Sequence, residues 1–142
     1  MDGEGARPHD RAMLKVADLM TKSVLTLAPS TSIGNAIDTL ATLAVSGAPV
    51  CDAENKVIGV FSKSDVVFDL SDGEIVLTDP ISSTMSKDPL LVAVDAPIRE
   101  AIRLMAEHRV HRLIATDESG SVVGIITPLD VVMALHSGTL TP

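Results

Sequence analysis

Two short patterns in this sequence have residue types and spacing that could do chemistry. Gly59-Val-Phe leads into Ser62-Lys63-Ser64-Asp65, and Gly124-Ile-Ile leads into Thr127-Pro128-Leu129-Asp130. Each places a hydroxyl at the end of an apolar run and a carboxylate three positions later. At the start of a helix that spacing makes a capping box, in which the hydroxyl accepts from the third backbone N–H and the acid reaches back. Pro128, in the first helical position, suits such a start. The same pair of groups also has ligand chemistry. A carboxylate there can accept from both hydroxyls of a vicinal diol such as a ribose, while the N–H groups of the helix start face a phosphate. The spacing alone is compatible with both readings.

The other reactive types are weaker candidates. His108, Arg109, His111 and Arg112 form a basic run, with Arg103 one or two turns earlier. His108 and Arg109 fall in the last turn of an expected helix, where a cation suits the dipole. His108 and His111 stand three apart without further ligands, which is not a metal site, and none is expected. Cys51 lies among apolar residues and reads as a small core residue. The methionines read mainly as packing, with Met20 and Met85 just ahead of expected strands.

The elements that must position these groups occur twice. An offset of 65 residues, Met20 to Met85, aligns Val16–Val67 with Ile81–Val132 without a gap. Identical pairs include Ile33 with Ile98, Ala36 with Ala101, Gly59 with Gly124 and Asp65 with Asp130. Matching apolar positions on this scale mean that the halves share one structure. Each half reads strand, helix, strand, strand, helix. The first strands are expected at Leu25–Leu27 and Leu90–Val92. Ser30 and Asp95 are the expected N-caps of the first helices, with Pro97 in the first turn. Strands follow at Ala48–Cys51, Val57–Phe61, Leu113–Thr116 and Val122–Ile126, and closing helices at Ser64–Leu70 and Leu129–Leu135. Organisation follows as an N-terminal extension (1–15), repeat 1 (16–70), a polar linker (71–80), repeat 2 (81–136) and a tail (137–142), with loose ends at 1–12 and 137–142. A half of about 55 residues is marginal alone, so the two are expected to pack together.

Composition narrows the functions. The chain has 142 residues and only two aromatics, Phe61 and Phe68, too few for a base-stacking platform. Its net charge of −8 opposes phosphate-backbone binding, so nucleic acid is not an expected partner. One cysteine excludes a disulfide framework and fits a reducing compartment. The N-terminus lacks the apolar core of a signal peptide, and the longest weakly charged stretch, 23–51, is broken by Pro29, Gly34, Gly47 and Pro49. The expectation is a cytoplasmic protein without a membrane anchor. No phosphate-binding lysine loop, nucleophile elbow or metal cluster points to an enzyme.

The duplicated glycine–hydrophobic–x–Ser/Thr–x–x–Asp signature resembles that of CBS (cystathionine-β-synthase-type) domains, which occur in tandem as Bateman modules. The resemblance covers Val16 to Leu135. It implies an α+β fold of two β-α-β-β-α repeats packed about a pseudo-twofold axis. In that family the Asp binds ribose hydroxyls of an adenosine ligand and the Ser/Thr contacts ribose or phosphate, which maps to Ser62 with Asp65 and Thr127 with Asp130. It also implies two clefts. Asp65 would share one with Asp88, Leu90, His111, Arg112 and Leu113, and Asp130 the other with Ser23, Leu25, Ser46, Gly47 and Ala48. Lys63, His111 and Arg112 would meet phosphate in the first; the second lacks those cations. Met20 and Met85 would help line the adenine pockets. The implied ligand is AMP, ADP, ATP or S-adenosylmethionine, with no cofactor. No effector domain accompanies the pair, so the implied assembly is a homodimer that signals to a partner in trans. The alternative is a constitutive interaction dimer with unused clefts.

Overall fold

The computed structural model describes residues 14–22, 24–73 and 75–142. Residues 1–13 of the N-terminal extension, Ser23 and Glu74 lie outside the described residues. In chain order the elements are α1 (Val16–Leu19), α2 (Ile33–Leu43), β1 (Gly47–Cys51), β2 (Val57–Ser62), α3 (Lys63–Ser71), a 3-10 turn (Ile81–Ser83), β3 (Leu91–Ala93), α4 (Ile98–His108), β4 (Leu113–Thr116), β5 (Val122–Ile126) and α5 (Pro128–Ser137). They form two compact units. One is Leu25–Pro89; the other joins the N-terminal segment up to Val24 to Leu90–Pro142.

In the 25–89 unit, β1 and β2 form an antiparallel hairpin with Gly47 opposite Ser62 and Ala48 opposite Phe61. Leu27 adds one parallel bridge beside Val50, and Ser86 one antiparallel bridge beside Val60. Phe61, Ile33, Leu40, Val50 and Ile81 are fully buried and form the centre of its core. The Thr84 hydroxyl, also buried, donates to the Asp69 carboxylate and ties the segment after the linker to α3.

The other unit repeats this plan. β3 runs parallel to β4, β4 antiparallel to β5, and Thr21 bridges Ile125 at the far edge. Its core holds Val16, Ile98, Ala101, Leu113 and Ile126. Leu140 is buried in it as well, with its N–H on Ala134 O at 3.0 Å. The tail is therefore docked through Leu140 and is not a loose end.

The bridges at Thr21 and Ser86 show an exchange. Met20-Thr21 belongs to the opening segment of repeat 1 in sequence but lies on β5 of repeat 2; Met85-Ser86 belongs to the opening segment of repeat 2 but lies on β2 of repeat 1. The same exchange caps the helices. Ile33 N donates to Asp79 O at 2.8 Å and Gly34 N to Leu77 O at 2.9 Å, while Ile98 N donates to Leu14 O at 2.7 Å. These carbonyls fill orphan donor positions of a helix start.

Three local expectations are corrected. Leu25–Leu27 is not a strand, and only Leu27 bridges. At the next matching position Val94 N donates to Thr116 O at 3.0 Å, whereas its counterpart Pro29 has no N–H to continue the ladder. The N-cap of α2 is Ser32, whose hydroxyl accepts from Asn35 N at 3.1 Å, because Pro29 and Ser30 are spent in a turn. The N-cap of α4 is Pro97, which has no capping side chain, and Asp95 lies outside the helix start. Arg103 is held by Glu100 at 2.6 Å and Glu107 at 2.9 Å on an exposed face of α4.

Candidate functional site

Both signature motifs fall at the turn from a strand into a closing helix. Ser62 ends β2 and caps α3, its hydroxyl accepting from Asp65 N at 3.4 Å. Lys63 is the first residue of α3, exposed, with its N–H on Ser46 O at 3.0 Å. Ser46, Gly47 and Ser62 therefore lie close together in the 25–89 unit. Thr127 caps α5, its hydroxyl accepting from Asp130 N at 3.3 Å, and Pro128 opens the helix.

The two acids differ in their surroundings. Asp130 completes the capping box: Oδ2 accepts from Thr127 N at 2.9 Å and from Thr127 Oγ1 at 3.1 Å. Its Oδ1 accepts from Thr21 Oγ1 at 3.2 Å. Asp65 does not reach back. Among the described residues no hydrogen bond or ion pair reaches its half-buried carboxylate. One acid is spent on structure while the other keeps its acceptors open at the start of a helix.

Glycine is required in both motifs by close approach. A Cβ on Gly59 would lie 2.6 Å from Ser86 O and 2.9 Å from Met85 Sδ. One on Gly124 would lie 2.7 Å from both Met20 Sδ and Thr21 O. Met85 therefore covers β2 three residues before it ends, and Met20 covers β5 two residues before it ends. The signal that could have located Thr21 and Ser86 was present in the repeat, as the residues after the matched methionines.

The remaining expected site residues are placed as follows. Leu25 and Leu90 are half-buried, each against the core of its own unit, and Asp88 is exposed. Ala48 and Leu113, equivalent in the repeat, are sealed in their cores at 1% and 0% exposure. They offer a ligand no surface as they stand. Ser23 lies outside the described residues. His111 and Arg112 precede β4, and Arg112 is half-buried. His111 lines a largely apolar groove of about 500 Å³ between the end of α4 and the start of α5, with Ile102, Arg109, Pro128 and Val132.

Cys51 is buried in β1, and loss of solvation followed by the Asp52 charge push its thiol pKa upward, away from the thiolate a nucleophile needs. Among the described residues no group of three His, Cys, Asp or Glu side chains is placed to hold a metal ion, and no helix is long and apolar enough to cross a membrane.

The CBS domain family model matches residues 16–72 and 81–137, and each match runs through its signature motif and closing helix. The chain belongs to the CBS domain family, as a tandem pair. Among solved structures, CBSX2 in complex with AMP is 29% identical, with a TM-score of 0.77 over 88% of this chain and 98% of that one. CBSX2 from Arabidopsis thaliana is 30% identical with a TM-score of 0.75, over 88% of this chain and 96% of that one. A putative acetoin utilization protein (AcuB) from Vibrio cholerae is 27% identical with a TM-score of 0.80, over 89% and 93% of the two chains. Inosine-5'-monophosphate dehydrogenase of Methanocaldococcus jannaschii is 33% identical over 121 residues, 85% of this chain and 23% of the enzyme. The chain thus spans under a quarter of that enzyme. The likenesses to CBS-pair structures agree with the α+β repeat fold expected from the sequence.

Proposed function

We propose that this CBS pair is a non-catalytic sensor that binds an adenine nucleotide, or a related adenosyl compound, and reports it to a partner protein in trans. The observation that carries the proposal is the Asp65 carboxylate. It is half-buried at the start of α3, beside the Ser62 cap, and unpartnered among the described residues. A half-buried carboxylate gains most from donors that a ligand brings, and a ribose diol brings two. The AMP complex of CBSX2, which this chain matches over nearly its whole length, supports an adenosine ligand. Ser62, Lys63 and the Ser64 N–H at the start of α3 then face the phosphate side. Met85 and Met20, with Leu25, Leu90, Ser46 and Gly47, are the proposed adenine contacts. Calorimetric titration of the full chain with AMP, ATP and adenosine tests the reading. Micromolar or tighter binding of at least one is the expected result, and no heat and no thermal shift with any of them would sink it.

Arg112 is the cation assigned to phosphate by the family resemblance, and its effect should scale with ligand charge. Arg112→Ala should weaken AMP about tenfold and ATP further, at roughly 1.5–3 kcal/mol per charge-assisted hydrogen bond, and leave adenosine nearly unchanged. Equal losses for ATP and adenosine would make Arg112 a packing residue. His111 belongs to the same proposed set. Its position in the α4–α5 groove gives it the weaker claim.

The assembly is proposed to be a homodimer. The closing helices leave matching positions bare: Val67, Phe68 and Leu70 on α3 are 63%, 71% and 45% exposed, and Val132, Met133 and Leu135 on α5 are 55%, 55% and 40%. Val66 and Val131, on the same helices, are packed against the cores of their own units. A second copy presents the same apolar face and can pair with it about a twofold axis. Sedimentation should show a dimer at micromolar concentration, and the double change Val67→Asp with Val132→Asp should yield a folded monomer. A wild-type monomer under those conditions would overturn the assignment.

A further inference from the structure

Thr21 is fixed by its backbone. Its N–H donates to Ile125 O at 2.8 Å and its carbonyl accepts from Ile125 N at 3.0 Å, across the gap left open by Gly124. From that position its hydroxyl donates to Asp130 Oδ1. A carboxylate has about four acceptor positions. On Asp130 three are in use: Thr127 N and Thr127 Oγ1 on Oδ2, and Thr21 Oγ1 on Oδ1. A vicinal diol needs two, so it cannot bind without displacing one of these donors. Both Thr127 bonds belong to the helix cap. The Thr21 hydroxyl is the donor that can leave without unwinding α5.

The repeat provides an internal comparison. Ser86 stands 65 positions after Thr21 and is pinned to Val60 in the same way, by two bonds of 2.9 Å. Among the described residues its hydroxyl makes no bond to Asp65. The same backbone device therefore blocks one acid and leaves the other open. Threonine differs from serine here in its β-branch, which restricts χ1 and suits a hydroxyl held on a single acceptor.

We infer that Thr21 is a specificity-determining residue: its hydroxyl is a built-in competitor that occupies the diol acceptor of the second repeat and makes the first repeat the operative ribose site. The inference rests on the reading that the signature acids bind a ribose diol.

The test uses the full chain with adenosine, which carries the diol and no phosphate. In an Asp65→Ala background the first site is disabled. Adding Thr21→Val, which keeps the branched shape and removes the hydroxyl, should tighten adenosine about tenfold, the worth of one hydrogen bond to a charged group. Thr21→Ala should give the same gain where the valine variant melts below the background protein. Thr21→Ser keeps a donor on a less restricted side chain and should fall between the background and Thr21→Val. 2'-Deoxyadenosine should show no gain, and a further Asp130→Ala should abolish it. If the wild type binds adenosine through Asp65 but neither Thr21→Val nor Thr21→Ala gains affinity, the contact is structural and the inference falls while the function stands. If Thr21→Val binds adenosine and the wild type does not, the inference holds and the assignment of the first site falls. If none of these proteins binds adenosine, both fall.

Discussion

Asp65→Ala should cost roughly a hundredfold in affinity for AMP, and Asp130→Ala no more than a few-fold. Two ribose hydroxyls on one carboxylate are two charge-assisted hydrogen bonds. At about 1.5 kcal/mol or more each they sum to about 3 kcal/mol, with tenfold per 1.4 kcal/mol. Asp65 has its acceptors open for them, and Asp130 does not. Stability should show the opposite order. The Asp65 side chain makes no cap contact among the described residues, so its loss leaves the start of α3 on the Ser62 hydroxyl. Asp130→Ala removes the return half of a capping box and the Thr21 contact, about 1 kcal/mol. For a chain of this size that lowers the melting temperature by roughly 2–4 °C. Calorimetric titration with AMP and thermal melts without ligand, on both variants, supply the four numbers. Equal losses of AMP affinity at the two acids, or a larger loss at Asp130, would overturn the asymmetry.

That crossover was only half legible in the sequence. Ser62 with Asp65 and Thr127 with Asp130 are the same pattern, and the pattern names a cap and a diol site together. The choice between them depends on what else reaches the carboxylate. For Asp130 that is Thr21, 109 residues away in the chain. Sequence periodicity has no access to a contact of that range.

The repeat itself was legible because helical and strand spacing recur at one offset, and the two units have the same order of pairings. The exchange was not. Repetition states that each half has a leading segment; it does not say whose sheet that segment completes. Thr21 on Ile125 and Ser86 on Val60 settle it, and Gly59 and Gly124 are the residues that make room. The lost first strand had a readable cause, since Pro29 stands where Val94 donates to the ladder. The caps of α2 and α4 were misplaced by two residues for a related reason: backbone carbonyls of the exchanged segments do part of the capping, and such partners carry no side-chain signature.

Gly59→Ala should destabilise the protein by about 3 kcal/mol. The added Cβ would sit 2.6 Å from Ser86 O, a backbone atom that cannot rotate away. The obstacle is relieved only by opening the Val60–Ser86 bridge, which gives up two 2.9 Å hydrogen bonds worth about 1 kcal/mol each net. Residual overpacking against Met85 adds a further cost, in a class of change that runs about 1–3 kcal/mol. The melting temperature should fall by about 10 °C. Met85→Ala added to Gly59→Ala should not restore it, because the carbonyl and not the sulfur is the fixed obstacle. The effect should reach the site as well. β2 runs from Val60 through Phe61 directly to Ser62, so an opened bridge leaves the Ser62 cap and Asp65 on a strand end held from one side only, by β1. AMP affinity should therefore drop even at temperatures where the variant is folded, and Phe61, fully buried beside the bridge, should report the loosening by faster amide exchange. A Gly59→Ala protein that melts within 2 °C of the wild type would show that Ser86 does not lie where the exchange puts it.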